Sequence, residues 1–435
     1  MNILILNGSP KGENSVTLQT MRYLRECFPG HAYRELHVSQ RIRSIEKDFS
    51  AAREALLAAD LLVFCYPVYT FLVPAQLHRF IERIKEDGVD LQGKYATQVS
   101  TSKHFYDTTA HEFIRQNCED LGLRVIPGLS ADMEDLLKEK GQNEAESFFR
   151  YALWSAGDAS IRQPAAQKNR RVAIVADLAV GTELLADMIE RFQAVCPYPC
   201  DVVDLQQFPF SGGCLGCFHC AADGTCVYKD GFDTFLREKI QTADATVYAF
   251  AVRDHSMGYR MKLYDDRQFC NGHRTVTMGK PVGYLVQGSL DREASLRQLI
   301  EVRAQVGGNH LAGIACSEDG GDAPIEQLSR QLVYAVENDL QLPPNFYGVG
   351  GMKIFRDLIY QMQGLMKEDH KFYKEHGFYD DFPQKRKGTI LGMYLVGAMM
   401  HNKKLSKKIG SNMTKGMLMP YEKVLKKGRK LRKQR

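Results

Sequence analysis

The sequence lacks any apolar run that approaches the roughly 20 residues a membrane-spanning helix needs. The longest candidate, residues 389–400, is too short and contains two glycines. The opening residues lack the basic start of a secretory signal and reach glycine and proline early. We therefore expect a cytoplasmic protein in which the eleven cysteines are reduced.

Two further absences narrow the function. The chain has no Walker A loop and no G-x-G-x-x-G, which disfavours ATP and a Rossmann-bound dinucleotide. No motif for reading nucleic-acid bases accompanies its basic residues, so we expect no nucleic-acid partner. What is present, 44% hydrophobic and 25% charged residues over 435 positions, is typical of a globular protein with two or three domains.

The basic residues are concentrated in the last part of the chain. Residues 383–435 hold sixteen Lys and Arg against one acidic residue, a net charge of +15, whereas the whole chain carries +5. Residues 1–382 are therefore mildly acidic, with a net charge of −10. The basic tail indicates peripheral contact with an anionic membrane or an acidic partner protein, and a solvated tail is the alternative.

Short apolar runs alternate with helical stretches twice along the chain. The runs lie at residues 2–6, 59–66, 94–100, 171–176, 201–205, 245–252 and 281–287. Buried strands that alternate with helices predict an α/β fold with a parallel sheet covered on both faces. We predict a first domain at 1–155, a linker at 156–170, a second, diverged copy at 171–342, and a helical basic C-terminal region at 343–435.

The turn from the first strand to its helix carries small, hydroxylated and cationic residues, Gly8-Ser-Pro-Lys-Gly-Glu-Asn-Ser-Val-Thr17. Such a turn presents backbone N–H groups, hydroxyls and a helix N-terminus, which together suit a phosphate. An ordinary turn in which Ser15 or Thr17 caps the helix is the alternative.

Two later loops are rich in aromatic residues. Tyr66-Pro-Val-Tyr-Thr-Phe-Leu-Val-Pro74 leaves the end of the run at 59–66, and Thr101-Ser-Lys-His-Phe-Tyr-Asp107 follows the run at 94–100. Ligands of open α/β sheets bind at the carboxyl ends of strands, so these loops are candidates for the wall of a flat conjugated ring. The alternative is that they only pack over the core.

Together these motifs resemble the flavodoxin-like NAD(P)H-dependent FMN reductase family. The resemblance rests on Gly-Ser-Pro-Lys with Asn-Ser-x-Thr, and on Pro-Val-Tyr followed by Pro-Ala-Gln-Leu and Phe-Ile-Glu-Arg. It implies a sheet of strand order 2-1-3-4-5, FMN as cofactor and NAD(P)H as co-substrate, but no particular catalytic acid or base. Carried over residue by residue, it implies FMN contacts from Ser9, Lys11, Asn14, Ser15, Thr17, Pro67, Val68, Tyr69, Thr70, Thr101, Ser102 and Tyr106.

Four cysteines, Cys214, Cys217, Cys220 and Cys226, fall within thirteen residues. Such crowding in a chain without a secretory signal indicates metal binding or redox chemistry. Four thiolates suit an iron–sulfur cluster or a tetrahedral zinc ion, and bare thiols are a third possibility. The spacing resembles that of the iron–sulfur flavoproteins, a subgroup of the same superfamily, which implies a [4Fe–4S] cluster beside FMN.

The second copy departs from the phosphate-binding pattern. Its first turn, residues 177–183, lacks Ser-Pro-Lys and contains two acidic residues that repel phosphate, while the first copy has no cysteine loop. We therefore expect FMN and the cluster to be divided between the copies. Since reductases of this family pair about a two-fold axis, the resemblance also implies a homodimer or an intrachain pseudo-dimer.

The function implied by the resemblance is an NAD(P)H-dependent FMN oxidoreductase. Its reduced flavin would pass electrons to a small-molecule acceptor, to a redox partner protein or to the cluster on Cys214 to Cys226. The alternative is a non-catalytic flavin/iron–sulfur electron carrier or redox sensor.

Overall fold

The structure, a computed structural model, describes residues 1–380, 382, 387–400 and 418–430. The chain divides into two compact units. One contains residues 1–162, 341–346 and the chain from 382 onward, and the other contains 163–340 and 347–381. This division passes through the predicted linker at 156–170, whereas the other predicted domain boundaries stay predictions.

The first unit is built on a parallel sheet. Its strands are β1 Asn2–Asn7, β2 Ala32–Leu36, β3 Leu61–Pro67, β4 Tyr95–Ser102, β5 Arg124–Val125 and β6 Leu129–Asp132. They pair in the order β2-β1-β3-β4-β5, and β6 also pairs with β4, so the predicted order 2-1-3-4-5 is confirmed. The fifth position is divided into β5 and β6 around Pro127, which has no N–H to donate to the ladder.

Helices cover both faces of this sheet. They are α1 Val16–Cys27, α2 Val38–Lys47, α3 Ser50–Ala58, α4 Ala75–Asp87, α5 Asp107–Asp120 and α6 Glu139–Ser155. Leu4 and Leu6 of β1 belong to the core beneath α2 to α5, together with Leu77 and Phe80. Alternate residues of a strand face opposite sides, so Ile3 and Ile5 serve the other core layer. This face is covered by α1 and α6, which contact each other.

The second unit repeats the same topology. Its strands are β7 Val172–Ala176, β8 Cys200–Asp204, β9 Ala245–Ala251, β10 Pro281–Gln287 and β11 His310–Cys316. They pair in the order β11-β10-β9-β7-β8, which is 2-1-3-4-5 read from the other edge. Its helices include α7 Glu183–Val195, α8 His219–Asp223, α9 Phe232–Phe235, α10 Gly258–Arg267, α11 Ala294–Gly307 and α12 Ala323–Glu337. The prediction of one architecture used twice is confirmed.

The C-terminal region is helical where the structure describes it. It contains α13 Phe346–Gln361, α14 Lys367–Glu375, α15 Lys387–Met400 and a helix at 418–430. Within this last helix Tyr421 and Val424 are buried, and Lys427 Nζ donates to Gln142 Oε1 at 2.9 Å. This part of the basic tail therefore packs on the first unit. The remaining tail residues, 401–417 and 431–435, lie outside the described residues, so contact with a membrane or an acidic partner stays a prediction.

Among the described residues, every helix is too short or too polar to cross a lipid bilayer.

Gly8 allows a close approach between the end of β1 and α4. A Cβ placed on Gly8 would lie 2.5 Å from Leu77 Cδ2, whereas a Cβ on Gly30 meets nothing within 4 Å. We expect Gly8→Ala to lower the free energy of unfolding of the first unit by about 1–3 kcal/mol, because the overpacked side chain must displace Leu77. Urea denaturation measures this change, and Gly30→Ala is the matched control. Equal stabilities for the two variants would contradict the close approach.

Candidate functional site

The turn between β1 and α1 is held by its own hydrogen bonds. Asn7 Nδ2 donates to the carbonyl of Gly12 at 3.1 Å, and Asn7 Oδ1 accepts from the Ser9 amide at 3.1 Å. Ser9 Oγ accepts in turn from the Lys11 amide at 3.3 Å. The turn is therefore ordered before any ligand arrives, as a phosphate-binding turn at a helix N-terminus requires.

Ser15 is the N-cap of α1. Its Oγ accepts from the Leu18 amide at 3.3 Å, so the capping alternative considered for the sequence is confirmed for this residue. Ser15 also lies on the wall of the adjacent cavity. Because capping uses only part of the hydrogen-bonding capacity of its hydroxyl, the same hydroxyl can also bond a ligand.

The loop after β3 has an unusual backbone. Thr70 and Phe71 are both in the left-handed region, with φ of 50° and 68°. Two backbone hydrogen bonds between Tyr69 and Leu72, of 2.8 and 3.1 Å, close the turn around them. Left-handed residues other than glycine are costly, and they occur mainly where a ligand or active site needs a particular geometry. The turn leaves Tyr69 and Phe71 almost half exposed beside the cavity.

The end of β4 and the loop after it provide the third wall. Thr101 is only 6% exposed, and among the described residues its Oγ1 has no hydrogen-bond partner. Lys103 Nζ pairs with Asp132 Oδ1 at 2.8 Å, which holds this cation at the rim. A buried hydroxyl without a partner costs roughly 1–3 kcal/mol. Thr101 also lines the adjacent cavity, which makes its hydroxyl a candidate ligand contact.

These three loops enclose a cavity of about 320 Å³ at the carboxyl edge of the sheet. Ten of the twelve residues predicted for FMN line it: Ser9, Lys11, Ser15, Thr17, Pro67, Val68, Tyr69, Thr70, Thr101 and Ser102. Five further residues that were not predicted also line it: Val16, Phe71, Lys103, Phe105 and Met133. Hydroxyls and Lys11 lie on the turn before α1, and aromatic rings lie on the later loops. This polarity fits the phosphate and the flat ring of FMN.

Two of the predicted residues, Asn14 and Tyr106, are not brought to the cavity. Asn14 lies in the short helical turn Gly12–Asn14. The ring of Tyr106 stacks on Phe346, with 4.4 Å between centroids and 24° between planes. Tyr106 therefore supports the rim of the site rather than its wall.

His104 and Asp107 brace the third loop from behind. His104 Nδ1 lies 3.0 Å from Asp107 Oδ2, and both side chains are buried. The Asp107 carboxylate also accepts from Ser130 and from the Phe346 amide. Burial by itself would raise the pKa of Asp107, but these hydrogen bonds bring it below the ordinary value. We interpret the pair as positioning residues of the loop.

The corresponding place in the second unit is filled by protein. Asp254 and His255 adopt the same left-handed pair as Thr70 and Phe71, with φ of 49° and 59°. However, Arg253 Nη2 donates to the carbonyl of Val180 at 2.9 Å across the first turn. The side chain of Gln287 bonds the same turn: its Nε2 donates to the Gly181 carbonyl at 2.8 Å, and its Oε1 accepts from the Leu185 backbone amide at 3.0 Å.

The Leu185 amide belongs to the first turn of α7, where a phosphate would bind. Because Gln287 already bonds this amide, the second copy keeps the loop but not the anion site. The acidic residues of its first turn also disfavour an anion. One of them, Asp177, accepts a hydrogen bond at Oδ1 from Gln206 Nε2 at 2.5 Å.

The four clustered cysteines lie on the loop between β8 and α9, called here the cysteine loop (residues 211–231). Cys214 and Cys217 are exposed, and Cys220 and Cys226 are partly buried. Cys220 Sγ donates to the carbonyl of Phe269 at 2.8 Å, and burial raises the pKa of its thiol. Buried Cys270, which was interpreted only as a small core residue, lies near this group and its pKa is raised to about 12 by burial.

Arg267 ties the two ends of the cysteine loop together. Its guanidinium makes two parallel bonds to Asp230, of 2.7 and 2.8 Å, and a third to the Gly212 carbonyl at 2.9 Å. Both charged side chains are at most 3% exposed. Arg267 therefore holds the pKa of the Asp230 carboxyl well below its usual range.

Further arginine contacts lie around the cysteine loop. Arg267 Nη2 lies 4.0 Å from Cys226 Sγ, and its guanidinium packs over Tyr228 with 4.6 Å to the ring centroid. Arg274 donates to the Cys220 carbonyl at 3.3 Å, and Arg237 donates to the Gly224 carbonyl at 2.6 Å. Arg267 and Arg274 are themselves paired with the buried carboxylates of Asp230 and Asp369, so these contacts hold the cysteine loop in position.

Within the part of the chain that the structure describes, no three cysteine Sγ atoms lie within 4.8 Å of one another. The four cysteines of the loop provide the donor set of an iron–sulfur cluster and equally that of a tetrahedral zinc ion.

We expect Arg267→Ala to loosen the cysteine loop and to destabilise the second unit by about 3–5 kcal/mol, because the buried Asp230 carboxylate loses its partner. Hydrogen exchange across residues 211–231 and denaturant unfolding measure the two effects. Arg267→Lys should restore neither fully, since an ammonium cannot make the paired bonds. Arg297→Ala, which breaks an exposed pair with Asp291, is the control. Unchanged exchange in Arg267→Ala would rule out the tie.

Comparison with known proteins agrees with this geometry. Residues 1–130 match the family described as having a flavodoxin-like fold. An iron–sulfur flavoprotein from Archaeoglobus fulgidus is 30% identical over 176 residues, which cover 38% of this chain and 79% of that protein.

Solved structures of similar fold include an NADPH-quinone reductase from P. pentosaceus, which is 15% identical, with 35% of this chain and 97% of that chain covered at a TM-score of 0.28. An FMN-dependent NADH-azoreductase from Bacillus anthracis is 14% identical, with 35% and 99% covered at a TM-score of 0.29. Likeness at these TM-scores carries no functional argument.

The relative from Archaeoglobus fulgidus is matched over most of its length. The family resemblance stated from the sequence is therefore confirmed: this chain belongs to the iron–sulfur flavoprotein family.

Proposed function

We propose that this chain is an FMN-dependent oxidoreductase that takes electrons from NAD(P)H and passes them to a small acceptor or to a [4Fe–4S] cluster. The observation that carries the proposal is the Thr101 hydroxyl, buried without a partner in the wall of a cavity that also contains Lys11 and Tyr69. A ligand with a flat polar ring and a phosphate would give a partner to the Thr101 hydroxyl, the Lys11 ammonium and the Tyr69 ring. FMN, when bound, supplies hydride acceptance and one-electron transfer.

The residues of the first unit have separate tasks in this proposal. Lys11, Ser9 and Thr17 bind the phosphate, and the N-terminus of α1 adds its dipole. Tyr69 and Phe71 shield one side of the ring from water. The exposed rings of Phe71 and Phe105, 5.5 Å apart at the mouth, offer an apolar surface to a planar acceptor or a nicotinamide.

The cluster would be held by Cys214, Cys217, Cys220 and Cys226. The tie through Arg267 keeps this loop in place. The name of the Archaeoglobus relative, an iron–sulfur flavoprotein, supports this part of the proposal.

Since Gln287 and Arg253 occupy the anion site of the second copy, we propose one FMN per chain.

Electron acceptors and assembly are also proposals. A small molecule or a redox partner protein would take the electrons, and a homodimer or an intrachain pseudo-dimer would bring FMN close to the cluster. The basic tail beyond residue 400 would contact acidic partners.

The Thr101 hydroxyl gives a test in which two properties change in opposite directions. We expect Thr101→Val to leave the FMN-free protein equally or more stable, because an unsatisfied hydroxyl is removed, and to weaken FMN binding about 2- to 10-fold. Thr97→Val is the matched control, since the buried Thr97 hydroxyl donates to Pro127 at 3.2 Å. It should lower stability without changing FMN affinity.

Titration of flavin fluorescence gives both the affinity and the number of sites, and thermal unfolding gives the stability. Wild-type FMN affinity in Thr101→Val would contradict the assignment of this cavity. Saturation at two FMN per chain would contradict the filled site in the second unit.

The cluster is tested by anaerobic purification with assays of iron, zinc and flavin. We expect about four irons per chain in the wild type and a large loss of iron in Cys214→Ser and Cys226→Ser. Cys316→Ser, a partly exposed cysteine outside the loop, should keep its iron. A flavin absorption band without bound iron would contradict the proposed cluster and would leave the proposal of a flavin reductase intact.

The same preparation separates an enzyme from an electron carrier. The flavin-loaded protein alone should oxidise NAD(P)H in proportion to its FMN. A protein that holds both FMN and iron yet needs a second enzyme to become reduced would instead be a carrier or a redox sensor.

A further inference from the structure

The second unit contains a cavity of its own on one face of its sheet. The cavity has a volume of about 190 Å³ and is lined by residues of β9, β10, α10 and α11. Tyr248 and Tyr284 line it from the strands, and Tyr264 and Ala304 line it from the helices. The segment 268–277 provides further wall. None of these residues has a task in the proposed function.

Tyr264 gives the cavity a hydrogen-bonding group. The residue is 1% exposed, and among the described residues its hydroxyl has no hydrogen-bond partner. The rings of Tyr248 and Tyr264 have centroids 6.3 Å apart. Burial raises the pKa of Tyr264, and it raises the pKa of Tyr248 to about 12, so both hydroxyls stay protonated. Because a buried hydroxyl without a partner is costly, the Tyr264 hydroxyl is a candidate donor to a ligand oxygen.

The charged residues that line the cavity are already paired. Arg303 Nη2 lies 2.6 Å from Asp265 Oδ1. His273 Nδ1 and Arg274 Nη1 lie 3.0 and 2.8 Å from the buried carboxylate of Asp369. Each acidic, basic or histidine side chain among the lining residues thus has an ionic partner within the second unit. Since an ion is costly to bury without a partner, these walls favour an uncharged ligand.

The volume and the walls fit a single aromatic ring. An engineered apolar cavity of about 150 Å³ binds benzene, so a cavity of 190 Å³ has room for a ring with a small substituent. Aromatic rings pack well on one another in offset or edge-to-face arrangements. Tyr248 and Tyr284, with centroids 5.3 Å apart, provide such rings, together with Phe250 and Phe269.

We propose that this cavity binds a small uncharged aromatic molecule of one ring that carries a carbonyl oxygen. The aromatic walls surround the ring, and the Tyr264 hydroxyl donates to the oxygen. This ligand site goes beyond the proposed function and does not depend on the flavin. Two of its lining residues also support the cysteine loop, since Cys220 Sγ donates to the Phe269 carbonyl and Arg274 donates to the Cys220 carbonyl. The site therefore lies beside the cysteine loop.

Acetophenone is a suitable probe, and α-methylstyrene has nearly the same shape without the oxygen. The full-length protein, saturated with FMN so that the cavity of the first unit is occupied, is titrated with each compound by ligand-observed NMR. We expect acetophenone to bind at one site per chain with a Kd of about 0.1–1 mM, a usual affinity for so small a ligand. Absence of saturable acetophenone binding would overturn the proposal and leave the cavity to water.

The variant Tyr264→Phe removes only the hydroxyl. We expect it to weaken acetophenone binding about 5- to 10-fold and to leave α-methylstyrene binding unchanged, because only acetophenone has an oxygen to bond. Tyr198→Phe is the matched control, since the hydroxyl of this buried tyrosine bonds Glu337 outside the cavity. It should bind both probes as the wild type does. Wild-type acetophenone affinity in Tyr264→Phe would contradict the proposed hydrogen bond.

The variant Ala304→Leu tests where the probes bind. Ala304 is 2% exposed and lines the cavity from α11, so the larger side chain should fill the space and abolish binding of both probes. Thermal unfolding shows whether this variant is folded, and Tyr264→Phe decides the matter if it is not. Binding that persists in folded Ala304→Leu would place the probes elsewhere and overturn the proposal. A failure of FMN to bind would contradict the proposed function alone, because these variants report on the second unit.

Discussion

Parallel strand pairing is the constraint on which both candidate sites depend. When neighbouring strands run the same way, their carboxyl ends meet at one edge of the sheet, and each following helix begins there. In the first unit this brings the loops after β1, β3 and β4 together, although they are far apart in sequence. The parallel sheet of the second unit does the same for its own loops. The fold thus fixes where chemistry can occur, and the loop residues decide which chemistry it is.

The two copies show how loop residues make that decision on one backbone. Both keep a turn with two consecutive left-handed residues after the third strand of the unit, Thr70-Phe71 in one and Asp254-His255 in the other. In the first copy the space beside this turn is a cavity, whereas in the second Arg253 and Gln287 reach across it. The second copy has instead a long loop in which a single arginine joins both ends. The two copies therefore share the backbone geometry of this turn and differ in what lies beside it.

Much of this organisation could be predicted from the sequence, because buried strands appear as apolar runs. The edge strand β2, Ala32-Tyr-Arg-Glu-Leu36, gave no such signal, since it is only partly buried. The division of the fifth strand at Pro127 was also missed, and with it Met133, which lines the cavity after β6.

Phe71, Lys103 and Phe105 belong to loops that had been identified, so they could have been found from their position. In contrast, Arg267 lies 37 residues from Asp230, and no local pattern connects them. Interactions of this kind exist only once the chain has folded, which is why sequence patterns do not contain them.

The helix at 418–430 changes how the basic tail should be handled in practice. Gly428 packs against Tyr23 and Glu26 of α1, and the Tyr421 hydroxyl donates to the carbonyl of Met133, a residue of the cavity wall. A shortened chain that stops before residue 418 would expose one side of the helix that follows the phosphate turn. Residues 418–430 are therefore part of the packing of the first unit, and a truncation that removes them would alter the support of the cavity wall.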